Sequence, residues 1–286
     1  MAALIIGANL PDLDTLAIPL GAALTFRRGW THGVLAMVVL PIILTAALLG
    51  WDRVQRRLRP RTGEGANASP RWLLLVSFVA VLSHPLLDWL NSYGVRLLMP
   101  FSERWFYGDS IFILDLWLLA MLGAAVVFSW RRGSARPARM ALGVAAAYVM
   151  ANVLLTGWLR RAAVEHAVSA GATPVRVMAG PVPLNPLRRE LIYDLGDRYQ
   201  LGRASWAGQT MVEPALLDVP TNLGHELVRA NAMRPVVRDY LAWSRFPYVR
   251  IEEDPGSAWL HFADARFRTA AGWSMLSVRV SREAER

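Results

Sequence analysis

The sequence contains no cysteine among its 286 residues, and this absence excludes disulfide bonds and thiolate metal sites. It also contains no lysine: all 31 basic residues are arginine, a bias typical of GC-rich bacterial genomes. The remaining groups that bind metals well are five histidines and 22 acidic residues. A metal site in this chain would therefore use imidazole and carboxylate ligands.

Positive charge is concentrated in the apolar N-terminal half. Residues 1–161 hold 16 arginines against eight acidic residues, whereas residues 162–286 hold 15 arginines against 14 acidic residues. The arginines of the first half lie in short loops beside hydrophobic runs, which is typical of membrane topology signals. Nucleic-acid binding, the other usual explanation for a net charge of +9, is disfavoured because these arginines do not line one soluble face.

Hydrophobic residues make up 54% of the chain and are grouped into runs long enough to cross a bilayer, which takes about 20 residues. We predict regular spans at 33–50, 71–90, 110–130 and 139–158. A first segment, 2–26, is broken at Pro11 and by two carboxylates. Residues 1–160 are thus predicted to form a transmembrane helical domain, a multi-helix bundle.

The arginine counts of the loops predict the orientation of this bundle. Loops 51–71 and 131–139 carry six and four arginines, and the alternate loops, 27–32 and 91–109, carry two each. The positive-inside rule places the first pair in the cytoplasm. We therefore expect a multi-pass membrane protein, with everything after residue 160 on the extracytoplasmic side.

Residues 161–286 are predicted to form a small extracytoplasmic soluble α+β domain. Charges are balanced there, and segments such as "YVRIEE" and "MLSVRVS" have the alternation and composition of β-strands. The stretch "NLGHELVRANAMRPVVRDYLAWSRF" predicts one or two amphipathic helices, interrupted near Pro235.

The ionisable residues of the apolar half lie at the ends of predicted spans. His84 and Asp88 are four residues apart, which places both on one helix face. An up-and-down bundle would bring them to the same side as several others: Asp12, Asp14, His32, Asp109 and Asp115. Asp109 and Asp115 are six residues apart and do not share a helix face, so Asp115 is expected to have a supporting or structural role.

A charge within the membrane is unfavourable by roughly 2.5–3.5 kcal/mol, which makes each of these groups a functional candidate. Clustered carboxylates repel one another unless a cation or protons neutralise them. Two imidazoles beside carboxylates are natural ligands for a divalent metal ion, Zn²⁺ first and Mn²⁺, Fe²⁺ or Mg²⁺ as alternatives. Such an ion would activate water for hydrolysis.

Two other classes of function fit the same residues. Buried acids could relay protons or bind cations in an ion- or proton-coupled transporter, although these groups cluster toward one face and do not run through the midplane. The chain could also be a catalytically inactive membrane scaffold that uses its soluble domain for protein contacts.

Several motifs, in this order, carry a resemblance to a known family: "LPDLD", "RRGWTHG", "LSHPLLDWLNSYG", "LLMPFSERWFYGDSIFILD", "PVPLNPLRRELIYDLGDRYQLG" and "LAWSRFPYVRIEE". Over almost its whole length the chain resembles the YdjM-like family of bacterial inner-membrane metal-dependent hydrolases, whose named member is regulated by LexA. The resemblance implies metal ligands at Asp12, Asp14, His32, His84, Asp88 and Asp109.

The resemblance also indicates the chemistry. The HxxxD element is similar to one in zinc-dependent phospholipases C and single-strand nucleases, which favours a phosphoester or other ester of a lipid or lipid-linked substrate. Asp109 and Arg104 are the predicted catalytic residues, with Arg104, or Arg96 nearby, orienting an anionic substrate. Family members begin with a further helix that carries a Thr-His pair. Met1 stands eleven residues before Asp12, so we expect either an upstream start or a site with one ligand fewer.

Overall fold

The computed structural model describes residues 1–20, 27–58, 69–267 and 275–281. The chain divides into two compact units, residues 1–108 and residues 109–286. Parts of the predicted first span (21–26) and of the predicted cytoplasmic loop (59–68) lie outside the described residues.

Helices dominate the first unit. They are α1 (Ala2–Asn9), a 3₁₀-helix (Leu10–Leu20), α2 (Val34–Leu58) and α3 (Pro70–Leu90). Helix α1 ends just before Pro11, which has no backbone N–H to continue the α-helical pattern, and the N–H of Leu10 bonds instead to the carbonyl of Gly7. This change of pattern starts the 3₁₀-helix that carries the two N-terminal carboxylates.

Close packing of α1 on α3 positions the end of α1. A Cβ atom added to Gly7 would lie only 2.7 Å from the Cβ of Ala80, so the two backbones approach as closely as a glycine permits. Ala3, Ala80 and Val81 are buried around this contact. The last turn of α1 is therefore held against the middle of α3, one turn before His84.

The second unit begins with two helices and continues as a β-rich region. The helices are α4 (Leu116–Arg132) and α5 (Arg136–Ser169). Helix α4 overlaps the predicted span at 110–130 but begins later, because the side chain of Asp115 caps it by accepting a hydrogen bond from the N–H of Leu118. Helix α5 runs through residue 160, and the predicted division between a membrane domain and a soluble domain at that position stays a prediction.

In the described part of the second unit, seven strands form two antiparallel sheets. The first has the order β1-β2-β3-β4 and the second the order β5-β6-β7. Two helices, α6 (Glu226–Asn231) and α7 (Pro235–Trp243), connect the sheets and are separated before Pro235, as the sequence predicts. The strands are β1 (Arg176–Val182), β2 (Asn185–Asp194), β3 (Arg198–Trp206), β4 (Thr210–Pro220), β5 (Pro247–Asp254), β6 (Ser257–Asp264) and β7 (Leu276–Ser281), and a short 3₁₀-helix (Ala265–Phe267) follows β6.

Two hydrophobic clusters lie among the described residues of the second unit. One joins the C-terminal half of α5, through Leu159 and Ala163, to the first sheet at Leu191 and Tyr193. The other, centred on the fully buried Phe246, joins the first sheet to the second. Burial of these side chains connects the long helix and both sheets into one compact body.

Three helices among the described residues are long and apolar enough to cross a membrane: α2, α3 and α5. No more than a third of each apolar window is buried by the protein, so most of their large side chains face outward. Exposed apolar side chains over this length fit a lipid surround. The described chain thus consists of helices, three of them candidate membrane spans, followed by a β-rich C-terminal region.

Candidate metal centre

Five of the predicted ligands lie in the first unit, on three separate elements. Asp12 and Asp14 belong to the 3₁₀-helix, and His84 and Asp88 belong to α3. His32 lies in the loop just before α2 and is fully buried. The side chain of Asp14 is 3% exposed and that of Asp12 is 48% exposed. The group thus has a closed side at Asp14 and an accessible side at Asp12.

A hydrogen bond to α1 sets the orientation of the His84 ring. Its Nδ1 lies 2.7 Å from the carbonyl oxygen of Ala8. A carbonyl only accepts, so Nδ1 carries the proton and Nε2 of the neutral ring has a free lone pair. That Nε2 lies 3.6 Å from Asp12 Oδ1 and 3.6 Å from Asp88 Oδ2. The free lone pair of His84 therefore points toward two carboxylates.

The ring of His32 also lies close to the carboxylate of Asp88. Its Nε2 lies 3.2 Å from Asp88 Oδ2, and its Nδ1 lies 3.0 Å from the hydroxyl of Thr31 and 3.5 Å from Asp14 Oδ2. The centroids of the two imidazole rings are 5.3 Å apart. A metal-binding histidine commonly has an oxygen partner at its second nitrogen, which is the role that Thr31 and Asp14 can fill.

The distances fit a metal ion. Ligand atoms at about 2.1 Å from a tetrahedral ion are about 3.4 Å from one another. The separation from His32 Nε2 to Asp88 Oδ2 is 3.2 Å, and those from His84 Nε2 to Asp12 Oδ1 and to Asp88 Oδ2 are 3.6 Å each. One ligand atom each from Asp12, His32 and His84 can be chosen so that all three lie within 4.8 Å of one another. Asp88 Oδ2 adds a fourth donor.

Three buried polar atoms of the candidate metal centre have no hydrogen-bond partner in the described part of the chain. His32 Nε2, Asp88 Oδ2 and Asp14 Oδ1 are buried, and none makes a hydrogen bond of acceptable geometry within the described part of the chain. Leaving a buried polar atom unsatisfied is unfavourable by about 1–3 kcal/mol, so such atoms call for a partner. A divalent cation bound to neutral imidazole and carboxylate would satisfy His32 Nε2 and Asp88 Oδ2 together.

Sequence reasoning did not identify Arg28 as part of the site. Its guanidinium NH2 lies 3.1 Å from Asp88 Oδ1, and its backbone N–H donates to Asp14 Oδ2 at 2.6 Å. Burial lowers the pKa of Arg28, and Asp88 opposes that effect. The only signal available beforehand was its place in "RRGWTHG", the motif that also contains His32. Asn91, which accepts from Arg28 and donates to Asp88 Oδ1, was missed as well.

Two predicted substrate-orienting arginines lie in the loop after α3. Arg96 is buried, donates to the carbonyl of Arg27 and stacks over the ring of Trp105. Arg104 is exposed, and its guanidinium lies 5.4 Å from the centroid of Phe106. The predicted catalytic role of Arg104 stays a prediction.

Asp109 and Asp115 belong to the second unit. Both carboxylate oxygens of Asp109 accept from Arg245 at 2.9 Å, and its carbonyl accepts from Thr156. Asp115 caps α4 and also accepts from the hydroxyl of Tyr148, which is the structural role expected for it. The ligand and catalytic roles of Asp109 stay predictions.

Comparisons with known proteins point to one family. The model of the YdjM inner membrane protein family matches residues 1–159, more than half of the chain and the whole first unit. An uncharacterised protein of Bacillus subtilis (strain 168), YfhP, is 28% identical over 136 residues, which are 47% of this chain. The match covers 38% of that relative, so the chain spans well under two thirds of its length. No solved structure matches.

Proposed function

The chain is a member of the YdjM inner membrane protein family, and on that premise we propose that it is a membrane-embedded, metal-dependent hydrolase. The observation that carries this proposal is the convergence of His32 Nε2, His84 Nε2, Asp12 and Asp88 Oδ2 at mutual distances that suit one ion. When bound, a divalent ion supplies Lewis acidity that makes water nucleophilic near neutral pH. Zn²⁺ is the first candidate, since it accepts two imidazoles and two carboxylates.

The chain's own residues would hold and orient this ion. Ala8 fixes the His84 tautomer, and Thr31 with Asp14 faces the second nitrogen of His32. Asp12 is the ligand with the most exposed side chain, so it borders the path by which substrate and water would enter. Arg104 is kept as the residue that orients an anionic substrate, and the ligand and catalytic roles of Asp109 stay predictions.

A lipid or lipid-linked ester is the substrate class that the surroundings support. Leu13 and Leu16 lie beside Asp12 on the 3₁₀-helix, and they are 48% and 71% exposed. Trp30 in the next loop is 53% exposed. An amphiphile can place its polar ester at Asp12 while its apolar chain stays against such side chains. We propose a phosphoester first, on the extracytoplasmic side of a multi-pass inner-membrane protein.

The test uses the full chain purified in detergent. We expect bound Zn²⁺ by elemental analysis and hydrolysis of a phospholipid or of bis(p-nitrophenyl) phosphate in mixed micelles. His84→Ala should lose the ion and reduce turnover by at least about 100-fold. His166→Ala, an exposed histidine on α5, is the matched control and should retain both.

Two outcomes would overturn the proposal. A wild-type protein that binds no divalent ion, or a His84→Ala variant with unchanged hydrolysis, rules out a metal-dependent hydrolase at this site. Ion-coupled flux in liposomes that is lost in Asp88→Asn would instead favour a transporter.

A further inference from the structure

Arg28 contacts two carboxylates of the candidate metal centre in a way that leaves one oxygen of each free. It holds Asp14 Oδ2 through its backbone N–H at 2.6 Å and Asp88 Oδ1 through its guanidinium at 3.1 Å. The other oxygens, Asp14 Oδ1 and Asp88 Oδ2, are the ones that are buried without a hydrogen-bond partner in the described part of the chain. Each carboxylate is thereby fixed by one oxygen and presents the other.

Arg28 is itself held in place by the loop after α3. Its NH1 group donates to Asn91 Oδ1 at 3.3 Å and to the carbonyl of Gly94 at 3.2 Å, and its guanidinium lies 5.3 Å from the ring of Tyr93. Its backbone has a φ of +53°, a conformation that is unusual for a residue with a side chain. A strained, buried cation with this many contacts is anchored well enough to position its partners.

The same contact restricts how many ions the site can hold. In a two-metal site a carboxylate commonly bridges both ions with its two oxygens. Here Asp88 Oδ1 already faces the Arg28 guanidinium and the amide of Asn91 at 3.4 Å, so only Oδ2 is open to a metal. A second cation bound through Asp88 Oδ1 would have to displace the Arg28 guanidinium.

We propose that Arg28 is a positioning residue that orients Asp14 and Asp88, and that it limits the centre to a single divalent ion. This inference rests on the proposed metal site and adds its stoichiometry and the residue that determines it. The test is titration of the full chain in detergent with Zn²⁺ and with Mn²⁺, read by calorimetry and by elemental analysis after desalting.

Wild-type protein should bind one ion per chain. Arg28→Gln should weaken that binding by about 10–100-fold, the usual effect of losing a residue that orients a ligand. Arg28→Lys, which keeps the charge but not the fork of donors, should fall between the two. Arg27→Gln removes the same charge from the exposed neighbouring side chain and should leave the affinity unchanged.

The direction of the change separates positioning from simple electrostatics. Removal of a positive charge alone would strengthen the binding of a cation, whereas loss of positioning weakens it. Tighter binding by Arg28→Gln, an unchanged affinity, or two ions in the wild-type protein would each overturn the inference. A wild-type protein that binds no ion would instead defeat the proposed function from which the inference starts.

Folding of the variants is checked by thermal unfolding in chelator, where the metal contributes nothing. Asn91→Ala provides a second route if Arg28→Gln does not fold, because it removes one anchor of Arg28 and one donor to Asp88. We expect a smaller loss of affinity than for Arg28→Gln, and no loss at all would count against the proposal.

Discussion

The Nδ1 atom of His84 lies 2.7 Å from the carbonyl oxygen of Ala8, a residue 76 positions earlier in the chain. The end of α1 thus determines which imidazole nitrogen faces Asp12 and Asp88. Because Gly7 allows α1 to approach α3 so closely, the geometry of the candidate metal centre depends on helix packing as well as on its ligands.

Gly7→Ala should therefore weaken metal binding without touching a ligand. Its new Cβ would lie 2.7 Å from the Cβ of Ala80 and would push the end of α1, with the Ala8 carbonyl, away from His84. We expect a loss of about tenfold or more in Zn²⁺ affinity by titration. Gly50→Ala in α2 is the matched control, since its Cβ would meet nothing within 4 Å. Equal affinities for the two variants would contradict the positioning role of α1.

Metal removal should destabilise the protein by an amount that depends on free metal concentration. An ion present at 100 times its dissociation constant stabilises the folded state by about 2.7 kcal/mol. Thermal unfolding followed by tryptophan fluorescence should shift downward when EDTA is added to Zn²⁺-loaded protein. The shift should vanish in His84→Ala, and its persistence there would place the ion elsewhere.

Replacement of Arg189 by lysine should destabilise the folded protein. Its buried guanidinium donates to Thr156 Oγ1 at 2.9 Å, to Asn152 Oδ1 at 2.9 Å and to the carbonyl of Pro186 at 2.8 Å, which links β2 to α5. Burial lowers the pKa of Arg189 to about 10, so the group stays a cation at neutral pH.

Arg189→Lys cannot make these bonds together, and we expect a loss of about 3 kcal/mol in the free energy of unfolding. Arg188→Lys, at a partly exposed neighbour paired with Glu213, should change stability little. Denaturant unfolding of both variants checks this expectation, and equal stabilities would contradict it.

Asp264 should make the second unit sensitive to acid. Burial raises the pKa of Asp264, but the ion pair with Arg266 and hydrogen bonds from Ser244 and Arg266 outweigh burial and lower the pKa overall. Since the folded-state pKa lies below the ordinary value of 3.8, the carboxylate stabilises the folded protein at neutral pH. That contribution is lost as the pH falls below about 4, through the folded-state pKa.

Asp264→Asn should lose about 3–5 kcal/mol at neutral pH, because it leaves the fully buried Arg266 without its anion. Its stability should then vary less between pH 7 and pH 3 than that of the wild type. Asp197→Asn, at an exposed ion pair, should follow the wild-type pH profile. Unfolding temperatures measured across this range decide between these expectations.

The local pattern of the sequence was sufficient for much of the fold. Apolar length predicted α2, α3 and α5. Alternation with turn residues and an amphipathic stretch predicted a small α+β domain, and the C-terminal region of the structure is rich in β-strands. The four-residue spacing of His84 and Asp88 placed them on one helix face, because the helical period depends on backbone geometry alone. The break near Pro11 follows equally directly from the missing N–H of proline.

Tertiary structure decided what those residues contact. The pairing of His84 with Asp12 and with Ala8 depends on α1 packing against α3, and the position of Arg28 depends on a loop with positive φ. Neither is encoded in a local period, since contacts between distant segments arise only when the whole unit packs. The sequence by itself therefore determined the donor groups and their helix faces, whereas packing determined which atoms of those donors are free for a metal.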